Sequence, residues 1–294
     1  MGHVSVLLKE AISFLNVRRG GTYIDATLGL GGHSSEIARR LGPQGRLIGF
    51  DKDPAALAIA RKRLAELGEE LQQEAPQISL IHGSFAEVGK RMEAASVDGV
   101  LADLGLSSLQ LGAPERGFSF QAEGPLDMRM DPQSERTADQ VVNHMREEDL
   151  ANVIYEFGEE RRSRRIARAI VRARPIQSTA HLAKVISVAA PAMKHERIHP
   201  ATRTFQGIRI FVNRELEDLD ALLAAAPRVL KKSGRLVVIS FHSLEDRRVK
   251  DAMREGGQKK IYAPLTKKPL TASEEEIDRN PRARSAKLRA AEKL

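Results

Sequence analysis

Short apolar runs alternate with helix-like segments over the N-terminal third of the chain. Each run is bounded by glycine, aspartate or other polar residues, which is typical of strands buried on both faces. The runs are Tyr23–Ala26, Leu47–Phe50, Ile78–Ile81 and Val97–Ala102. Between the second and third runs, Asp53-Pro54 forms a good helix start that Ala55–Leu67 continues. This alternation predicts an α/β fold, with a Rossmann-like parallel sheet covered by helices on both faces.

The alternation is interrupted after Asp103. The next comparable run is Arg235–Ser240, so the connection contains 131 residues (104–234), although a parallel crossover needs only about a dozen. Apolar residues at helical spacing predict one amphipathic helix that covers the sheet near its end: Ile208, Phe211, Val212, Leu216, Leu219 and Leu223. We therefore predict a core of residues 1–110 and 206–294 and an inserted helical subdomain at 111–205. Ser285–Ala290 is predicted as a final edge strand.

The composition is that of a soluble globular protein with a basic surface. Hydrophobic residues make up 41% and charged residues 29%. The 47 basic and 39 acidic side chains give a formal charge of +8, which favours binding of polyanions such as nucleic acid or serves solubility alone.

The absence of cysteine excludes disulfides, thiolate nucleophiles and Cys-ligated metals. No apolar run approaches the ~20 residues of a membrane span, and Lys9 and Glu10 interrupt the N-terminal one, so we expect a cytoplasmic protein without a membrane partner.

A glycine-rich turn directly follows the first predicted strand and is the clearest chemical signal. It reads Asp25-Ala-Thr-Leu-Gly29-Leu-Gly31-Gly32-His33, and its glycines let a ligand approach the backbone closely. The spacing fits the acidic, glycine-rich turn of class I methyltransferases, with Thr27 in place of the first glycine. Asp51, 22 residues after Gly29, is placed to accept hydrogen bonds from both ribose hydroxyls of a nucleoside. A tight turn without a ligand is the alternative.

Asp25 distinguishes between two classes of nucleoside cofactor. A dinucleotide site needs a helix N-terminus that is free to receive pyrophosphate. A carboxylate just before the turn would repel phosphate and suits a cationic amino-acid tail. We therefore expect S-adenosylmethionine, and an NAD(P)-dependent oxidoreductase on a related fold stays the alternative.

Two further strand ends complete the predicted pocket at the carboxyl edge of the sheet. Phe85 follows the third strand, where its ring is expected against adenine unless it is simply a core residue. The segment from Asp103 to Gln110 follows the fourth strand.

Seven segments resemble the RsmH (MraW) family, in the family's order. They are TLGLGGHS (27–34), LADLGLSSLQL (101–111), ERGFSF (115–120), GPLDMRMDP (124–132), HPATRTFQ (199–206), ISFHSLEDR (239–247) and NPRARSAKLR (280–289). The resemblance implies methylation of N4 of a cytidine in the decoding (P-site) region of 16S ribosomal RNA. It also implies a methyltransferase core interrupted by a helical substrate-recognition domain. The implied contacts with S-adenosylmethionine come from Gly31, Gly32, His33, Asp51, Phe85, Asp103 and Gln110.

Methylation of a cytosine amine needs an acceptor for its proton, because the nitrogen lone pair is delocalised into the ring. Asp103 and the hydroxyls of Ser107 and Ser108 are the candidates at the end of the fourth strand. Many amino methyltransferases carry Asp/Asn-Pro-Pro-aromatic at this place, whereas this chain has Asp-Leu-Gly-Leu, so their catalytic assignment does not carry over. His242, after the fifth strand, is a further candidate, although a histidine there is more often structural.

Four arginines recur at helical spacing within the predicted insert: Arg161, Arg165, Arg168 and Arg172. At ~100° per residue they fall on one stripe, opposite Ile166, Ile170 and Ala173. Arginine combines charge with forked phosphate contacts, so the stripe is predicted to bind RNA backbone. The alternative is a solvated helix face on which neighbouring glutamates offset the positive charge of the arginines.

The segment His195–His199 matches the His-Glu-x-x-His pattern of zinc peptidases. Pro200 disfavours helical geometry in the residue before it, and no third ligand follows at a familiar spacing, so we predict no metal site.

The resemblance implies small-subunit ribosomal RNA or the assembled 30S subunit as the partner, and a homodimer stays open. A non-enzymatic RNA-binding ribosome-assembly factor is the remaining alternative.

Overall fold

The computed structural model describes residues 5–192 and 198–294, which divide into two compact units. The first unit contains the described residues up to Ser107 together with Leu216–Leu294, and the second is Ser108–Glu215. The second unit thus begins earlier than residue 111 and ends later than residue 205, because it keeps a helix that the sequence pattern assigned to the core.

Within the described residues, seven strands form one sheet in the first unit, in the order β3-β2-β1-β4-β5-β7-β6. They are β1 (Thr22–Asp25), β2 (Arg46–Asp51), β3 (Gln77–His82), β4 (Val97–Asp103), β5 (Leu230–Ser240), β6 (Tyr262–Pro264) and β7 (Lys287–Lys293). Strands β1 to β5 pair in parallel. The predicted α/β fold with a Rossmann-like sheet is therefore confirmed, as are its five predicted core strands.

The last strand differs from its prediction. It begins at Lys287 rather than Ser285, and it lies between β5 and β6 rather than at the edge of the sheet. The edge strand on that side of the sheet is β6, which has three residues and is too short to show a pattern. Because β7 is antiparallel to β5, its first residue lies opposite Ser240, the last residue of β5. The turn before β7 is therefore held at the carboxyl ends of the parallel strands.

Helices cover both faces of this sheet. Those of the first unit are α1 (Leu8–Leu15), α2 (Gly32–Leu41), α3 (Pro54–Leu71), α4 (Val88–Arg91), α10 (Glu215–Val229), α11 (Ser243–Gln258) and α12 (Glu274–Arg279). The start of α3 is confirmed, since the Asp53 side chain accepts a hydrogen bond from the backbone N of Ala55 at 3.0 Å. Alternate strand residues face opposite cores: Tyr23 packs toward α1, α2 and α3, and Ile24 packs toward α10 and α11.

The second unit contains α5 (Ser108–Gly112), α6 (Glu147–Glu156), α7 (Ser163–Arg172), α8 (Thr179–Ala189) and α9 (Ala201–Asn213). Its described residues contain no strand. The single amphipathic helix predicted from Ile208 to Leu223 is wrong, because Arg214 adopts a left-handed conformation (φ 53°) and ends α9. Leu223 on α10 packs against the sheet, whereas Ile208 belongs to the second unit. Every helix in the described part of the chain is too short or too polar to cross a bilayer.

Candidate active site

Three neighbouring parallel strands of the first unit end in an aspartate. Asp25 ends β1, Asp51 ends β2 and Asp103 ends β4, and β1 lies between the other two strands. The carboxyl ends of parallel strands meet at one edge, where open α/β sheets bind ligands. The candidate site is therefore lined by carboxylates, whose burial and bonding set its charge.

Asp25 supports the glycine-rich turn from inside. Its side chain is 1% exposed, and it accepts hydrogen bonds from the backbone N of Thr27 at 3.2 Å and from the Ser34 hydroxyl at 2.7 Å. Burial raises the pKa of Asp25 to about 6, and the bonds from Ser34 and Thr27 limit the rise. Asp25 thus shapes the turn and adds negative charge behind it.

The turn itself uses glycine and threonine for different purposes. Gly29 and Gly31 have left-handed φ values of +51° and +77°, which glycine adopts without strain. Gly32 then begins α2. Thr27, which replaces the expected first glycine, accepts a hydrogen bond at its Oγ1 from the backbone N of Asp103 at 2.6 Å. The threonine therefore ties the turn after β1 to the end of β4.

Asp51 keeps acceptor capacity for a ligand. Its Oδ2 accepts a hydrogen bond from the backbone N of Gly29 at 2.7 Å, and its Oδ1 accepts one from Asp53 N at 2.8 Å. Each carboxylate oxygen has two lone pairs, so each oxygen can accept one further bond. Burial raises the pKa of Asp51 to about 6, against the bonds from Asp53 and Gly29. This half-buried side chain has the free lone pairs that recognition of two ribose hydroxyls requires.

Asp103 combines a buried carboxyl oxygen with a neighbouring imidazole. Its Oδ1 has no hydrogen-bond partner among the described residues, and its Oδ2 lies 3.7 Å from Nδ1 of His33. Nε2 of His33 lies 3.1 Å from the carbonyl oxygen of Val6, which we take as its hydrogen-bond acceptor, so Nδ1 faces the carboxyl. Burial raises the pKa of Asp103 to about 8; Asp25 adds to the rise and Arg282 opposes it. The ionised form of this carboxyl is therefore a stronger base than an ordinary carboxylate.

Asp218 joins the loops that follow β2 and β3. It lies on α10, where its Oδ2 is 2.5 Å from Nζ of Lys52 and accepts a hydrogen bond from Oγ of Ser84 at 2.6 Å. Lys52 directly follows the aspartate of β2, and Ser84 directly precedes Phe85, whose ring is half-buried against the core. Asp218 therefore fixes the loops that carry two predicted nucleoside-binding residues. Our sequence analysis missed it, because nothing local distinguishes it from the other acids of the same helix.

Arg282 brings positive charge to the same edge. It lies in the 3₁₀ turn Pro281–Ser285 directly before β7, and its guanidinium donates a hydrogen bond to the carbonyl oxygen of Leu106 in the loop after β4. Burial lowers the pKa of Arg282, and the charge of Asp103 opposes this change. The residue belongs to the segment NPRARSAKLR, but a sequence motif alone does not show where its side chain lies.

His242 caps a helix. It is the N-cap residue of α11, and its Nδ1 accepts a hydrogen bond from the backbone N of Glu245 at 3.4 Å. Oε2 of Glu245 in turn accepts one from the backbone N of Phe241 at 2.8 Å. Nε2 of His242 lies 3.1 Å from Oε1 of Glu245. The structural role that we considered for this histidine is therefore present, and a catalytic role stays a prediction.

The other predicted site residues are divided between the two units. Ser107 ends the first unit, whereas Ser108 and Gln110 lie on α5 of the second, with Gln110 4% exposed. Their catalytic and cofactor roles stay predictions. Three residues of the zinc-type motif, 195–197, lie outside the described residues.

The predicted arginine stripe forms an exposed face of the second unit. Arg165, Arg168 and Arg172 lie on α7 and Arg161 precedes it, and all four are exposed. The opposite side of the helix is buried through Ile166, Ala167 and Ile170. Nε of Arg168 lies 3.4 Å from Oε1 of Glu147 on α6. The helical spacing is confirmed for the last three arginines, and RNA contact stays a prediction.

Comparison with known proteins identifies the family to which the chain belongs. The MraW methylase family matches residues 1–294. The chain is 67% identical over 291 residues to Ribosomal RNA small subunit methyltransferase H of Acidobacterium capsulatum, covering 99% of this chain and 98% of that protein. It is 48% identical over 311 residues to the protein of the same name from Acinetobacter baumannii, covering 100% and 98%. A solved structure assigned as an rRNA methylase of Clostridium thermocellum has a similar fold, with a TM-score of 0.50, 15% identity and 100% coverage of both chains. The chain belongs to the MraW methylase family.

Proposed function

We propose that this chain transfers a methyl group from S-adenosylmethionine to N4 of a cytidine in the decoding (P-site) region of 16S ribosomal RNA. Family membership supports methyl transfer, and the relatives named Ribosomal RNA small subunit methyltransferase H support ribosomal RNA as the substrate. The acceptor atom and its region come from the sequence resemblance alone. A ribosomal RNA substrate also supports a cytoplasmic location.

The row of three aspartates at the strand ends carries the cofactor assignment. Burial raises the pKa of Asp25 and of Asp51 to about 6 and that of Asp103 to about 8. Positive charge at this edge would therefore stabilise the ionised carboxylates. S-adenosylmethionine offers a sulfonium and an ammonium, whereas the pyrophosphate of NAD(P) would add negative charge. The site therefore fits S-adenosylmethionine better than a dinucleotide.

The residues present fit both ends of this cofactor. Asp51 would accept the ribose hydroxyls and Phe85 would contact adenine, while the glycine turn would let the methionine end approach the backbone. Asp25 and Asp103 would offset the positive charge. When bound, the cofactor supplies an electrophilic methyl group. Transfer is an in-line displacement, so the chain contributes chiefly position and alignment.

Asp103 is our candidate for the acceptor of the cytidine amine proton. An acceptor at the N4 hydrogens localises the nitrogen lone pair and takes the proton that transfer releases. The Asp103 side chain is 22% exposed, and because its Oδ1 is buried, the oxygen accessible to a ligand is Oδ2. Because burial raises the pKa of Asp103 to about 8, its carboxylate is a stronger base than an ordinary aspartate. Ser107, Ser108 and His242 are the other candidates for this role.

The second unit would recognise the RNA. The exposed arginines of α7 provide positive charge and forked donors for phosphate oxygens. The substrate would be small-subunit RNA, either free or within the 30S subunit.

Titration calorimetry of the wild-type chain and of Asp51→Asn tests the cofactor assignment. We expect the substitution to weaken S-adenosylmethionine binding about tenfold to a hundredfold, because hydrogen bonds to a charged group contribute about 1.5–3 kcal/mol. Asp220→Asn is the matched control, since Asp220 is 56% exposed and pairs with Arg248. A wild-type chain without affinity for S-adenosylmethionine, or an Asp51→Asn chain with wild-type affinity, would refute the assignment. Binding of NAD instead would favour the oxidoreductase.

The acceptor is tested by mass mapping of methylated nucleosides in 16S ribosomal RNA from cells with and without this protein. We expect N4-methylated cytidine in the decoding region to disappear with the protein. A different methylated nucleoside would change the acceptor but keep the reaction class. Binding of the RNA without methyl incorporation would support the assembly factor.

A further inference from the structure

The turn before β7 is anchored in the core on one side and reaches the candidate site on the other. Ala283 and Ala286 are 0% exposed and belong to the core cluster beneath the sheet. Arg284, between them, is exposed. The antiparallel pairing of β7 with β5 holds the turn at the edge where β4 and β5 end. Arg282 is therefore presented to this edge by a fixed backbone.

Arg282 contacts the loop that connects Asp103 with Ser107. Its guanidinium donates a hydrogen bond to the carbonyl oxygen of Leu106. Gly105, one residue earlier, has a left-handed φ of +94°, so the loop turns sharply as it leaves β4. The bond from Arg282 holds the loop directly after this turn, although the two residues are 176 positions apart in the sequence.

Asp103 lies near two other acids, so a positive charge beside it has a marked effect on its pKa. Asp25 from β1 and Glu245 from α11 raise the pKa of Asp103 beyond the effect of burial, whereas Arg282 lowers it. His33 from α2 places Nδ1 3.7 Å from the carboxyl. Arg282 and Asp103 are both half-buried. A partly desolvated charge is unfavourable when it is unopposed, so each side chain stabilises the charged form of the other.

We propose that Arg282 is a positioning residue of the methyl-transfer site, which holds the 104–107 loop and favours the ionised form of Asp103. The importance of an ionised Asp103 rests on the proposed function, but the coupling between the two side chains does not. Arginine suits both tasks, because one arm of its fork can bond a carbonyl while the positive charge is shared over the whole guanidinium.

The coupling can be measured directly by carbon NMR of protein labelled at its aspartate carboxyl carbons, with Asp103→Asn used to assign the signal. In Arg282→Gln we expect the titration midpoint of Asp103 to rise by about one pH unit, at the low end of the ~1–3 units by which a nearby opposite charge shifts a carboxyl. Arg284→Gln removes the same charge from an exposed position of the same turn, and should keep the wild-type midpoint. An unchanged midpoint in Arg282→Gln, or an equal rise in Arg284→Gln, would overturn the proposal.

The pH dependence of methyl transfer to 30S subunits that lack the modification gives a second readout. In Arg282→Gln we expect the rising limb of the profile to move to higher pH by the same amount as the NMR midpoint. A purely structural role would lower the rate at every pH without moving the limb, and that result contradicts the proposal.

Arg282→Lys keeps the proposal testable if Arg282→Gln does not fold. Lysine keeps the charge but cannot reproduce the forked contact, so we expect a nearly wild-type midpoint with a lower maximal rate. An Arg282→Lys enzyme with the wild-type midpoint and the wild-type rate contradicts the positioning role. If the wild-type enzyme itself transfers no methyl group, the proposed function fails, whereas the NMR titration still decides whether Arg282 controls Asp103.

Discussion

The two units of the chain present charge in opposite ways. At the carboxyl edge of the first unit, the charged groups that end adjacent strands are acids, and Asp25 and Oδ1 of Asp103 are buried. On α7 of the second unit, the charged groups are arginines that lie fully on the exposed side of the helix. The first unit therefore concentrates negative charge in a small desolvated region, and the second spreads positive charge over a solvated face.

This difference indicates two kinds of ligand. In a desolvated region a single cation strongly lowers the free energy of neighbouring ionised carboxylates, because charges interact more strongly where the dielectric constant is low. Exposed arginines each contribute little and are screened by salt, so they are effective only together along a polyanion. Substitutions in the first unit should therefore change chemistry and cofactor affinity, and substitutions on α7 should change salt-dependent RNA affinity.

Asp103→Asn should have the largest effect. Asparagine preserves the shape and the backbone bond to Thr27 but cannot accept the amine proton, so we expect turnover to fall by about 10²- to 10⁴-fold, the usual range for a general base. Single-turnover methyl transfer measures the loss, and calorimetry measures the affinity for S-adenosylmethionine in parallel. Unchanged turnover with normal cofactor affinity would remove Asp103 from both roles.

The same variant should be more stable than the wild type at alkaline pH. The pKa of Asp103 is raised by burial to about 8 in the folded chain, from 3.8, so the folded state binds the proton more tightly than the unfolded state. Its contribution to stability is therefore present at low pH and is lost as the pH rises from about 4 to about 8. The rise of the pKa from 3.8 to about 8 sets an upper limit of ~6 kcal/mol, at ~1.4 kcal/mol per pKa unit, and the 22% exposure of the Asp103 side chain reduces it. At pH 8.5 we therefore expect Asp103→Asn to gain a few kcal/mol in urea unfolding, with little gain at pH 4. An equal gain at both pH values would contradict this origin.

Local sequence patterns were sufficient for much of the first unit. The strand ends at Asp51 and Asp103 could be placed because apolar runs stop at an acid there, and parallel strands bring such ends to one edge. The glycine turn and the Asp53 cap were predictable because each depends on neighbouring residues. The arginine face of α7 followed from the helical period alone.

The contributions of distant residues could not be predicted in this way. The position of β7 inside the sheet depends on its pairing with β5, and no local pattern encodes a partner strand. Arg282 reaches the site only because that pairing is antiparallel, and Asp218 only because α10 packs beside the ends of β2 and β3. The break at Arg214 was also hidden, because apolar spacing continues through it while its backbone adopts a left-handed conformation.

A double charge reversal on α7, Arg165→Glu with Arg172→Glu, should weaken RNA binding about tenfold or more and lower the salt slope of the binding constant by about two. The physical reason is the loss of two phosphate contacts and of the counterions that they release. Fluorescence anisotropy with 16S ribosomal RNA across a salt series measures both quantities. The control is Arg61→Glu with Lys62→Glu on α3, which changes the net charge equally at exposed positions of the first unit. Equal losses in the two double variants would show that only the net charge matters.

Asp218→Asn should have the smallest effect and should be confined to cofactor affinity. It removes the charge that holds Lys52 and Ser84, at 2.5 and 2.6 Å, but touches no proposed reacting group. We expect affinity for S-adenosylmethionine to fall about threefold to tenfold, because Asp218 acts on the cofactor only through the two loops and an ordinary hydrogen bond contributes ~0.5–1.5 kcal/mol. The rate at saturating cofactor should stay at the wild-type value. Asp220→Asn on the same helix should change neither quantity. Asp218→Asn could instead lower the rate at saturating cofactor and leave the affinity unchanged. The contacts of Asp218 with Lys52 and Ser84 would then act on methyl transfer, and the assignment of the β2 and β3 loops to the nucleoside end of the cofactor would be wrong.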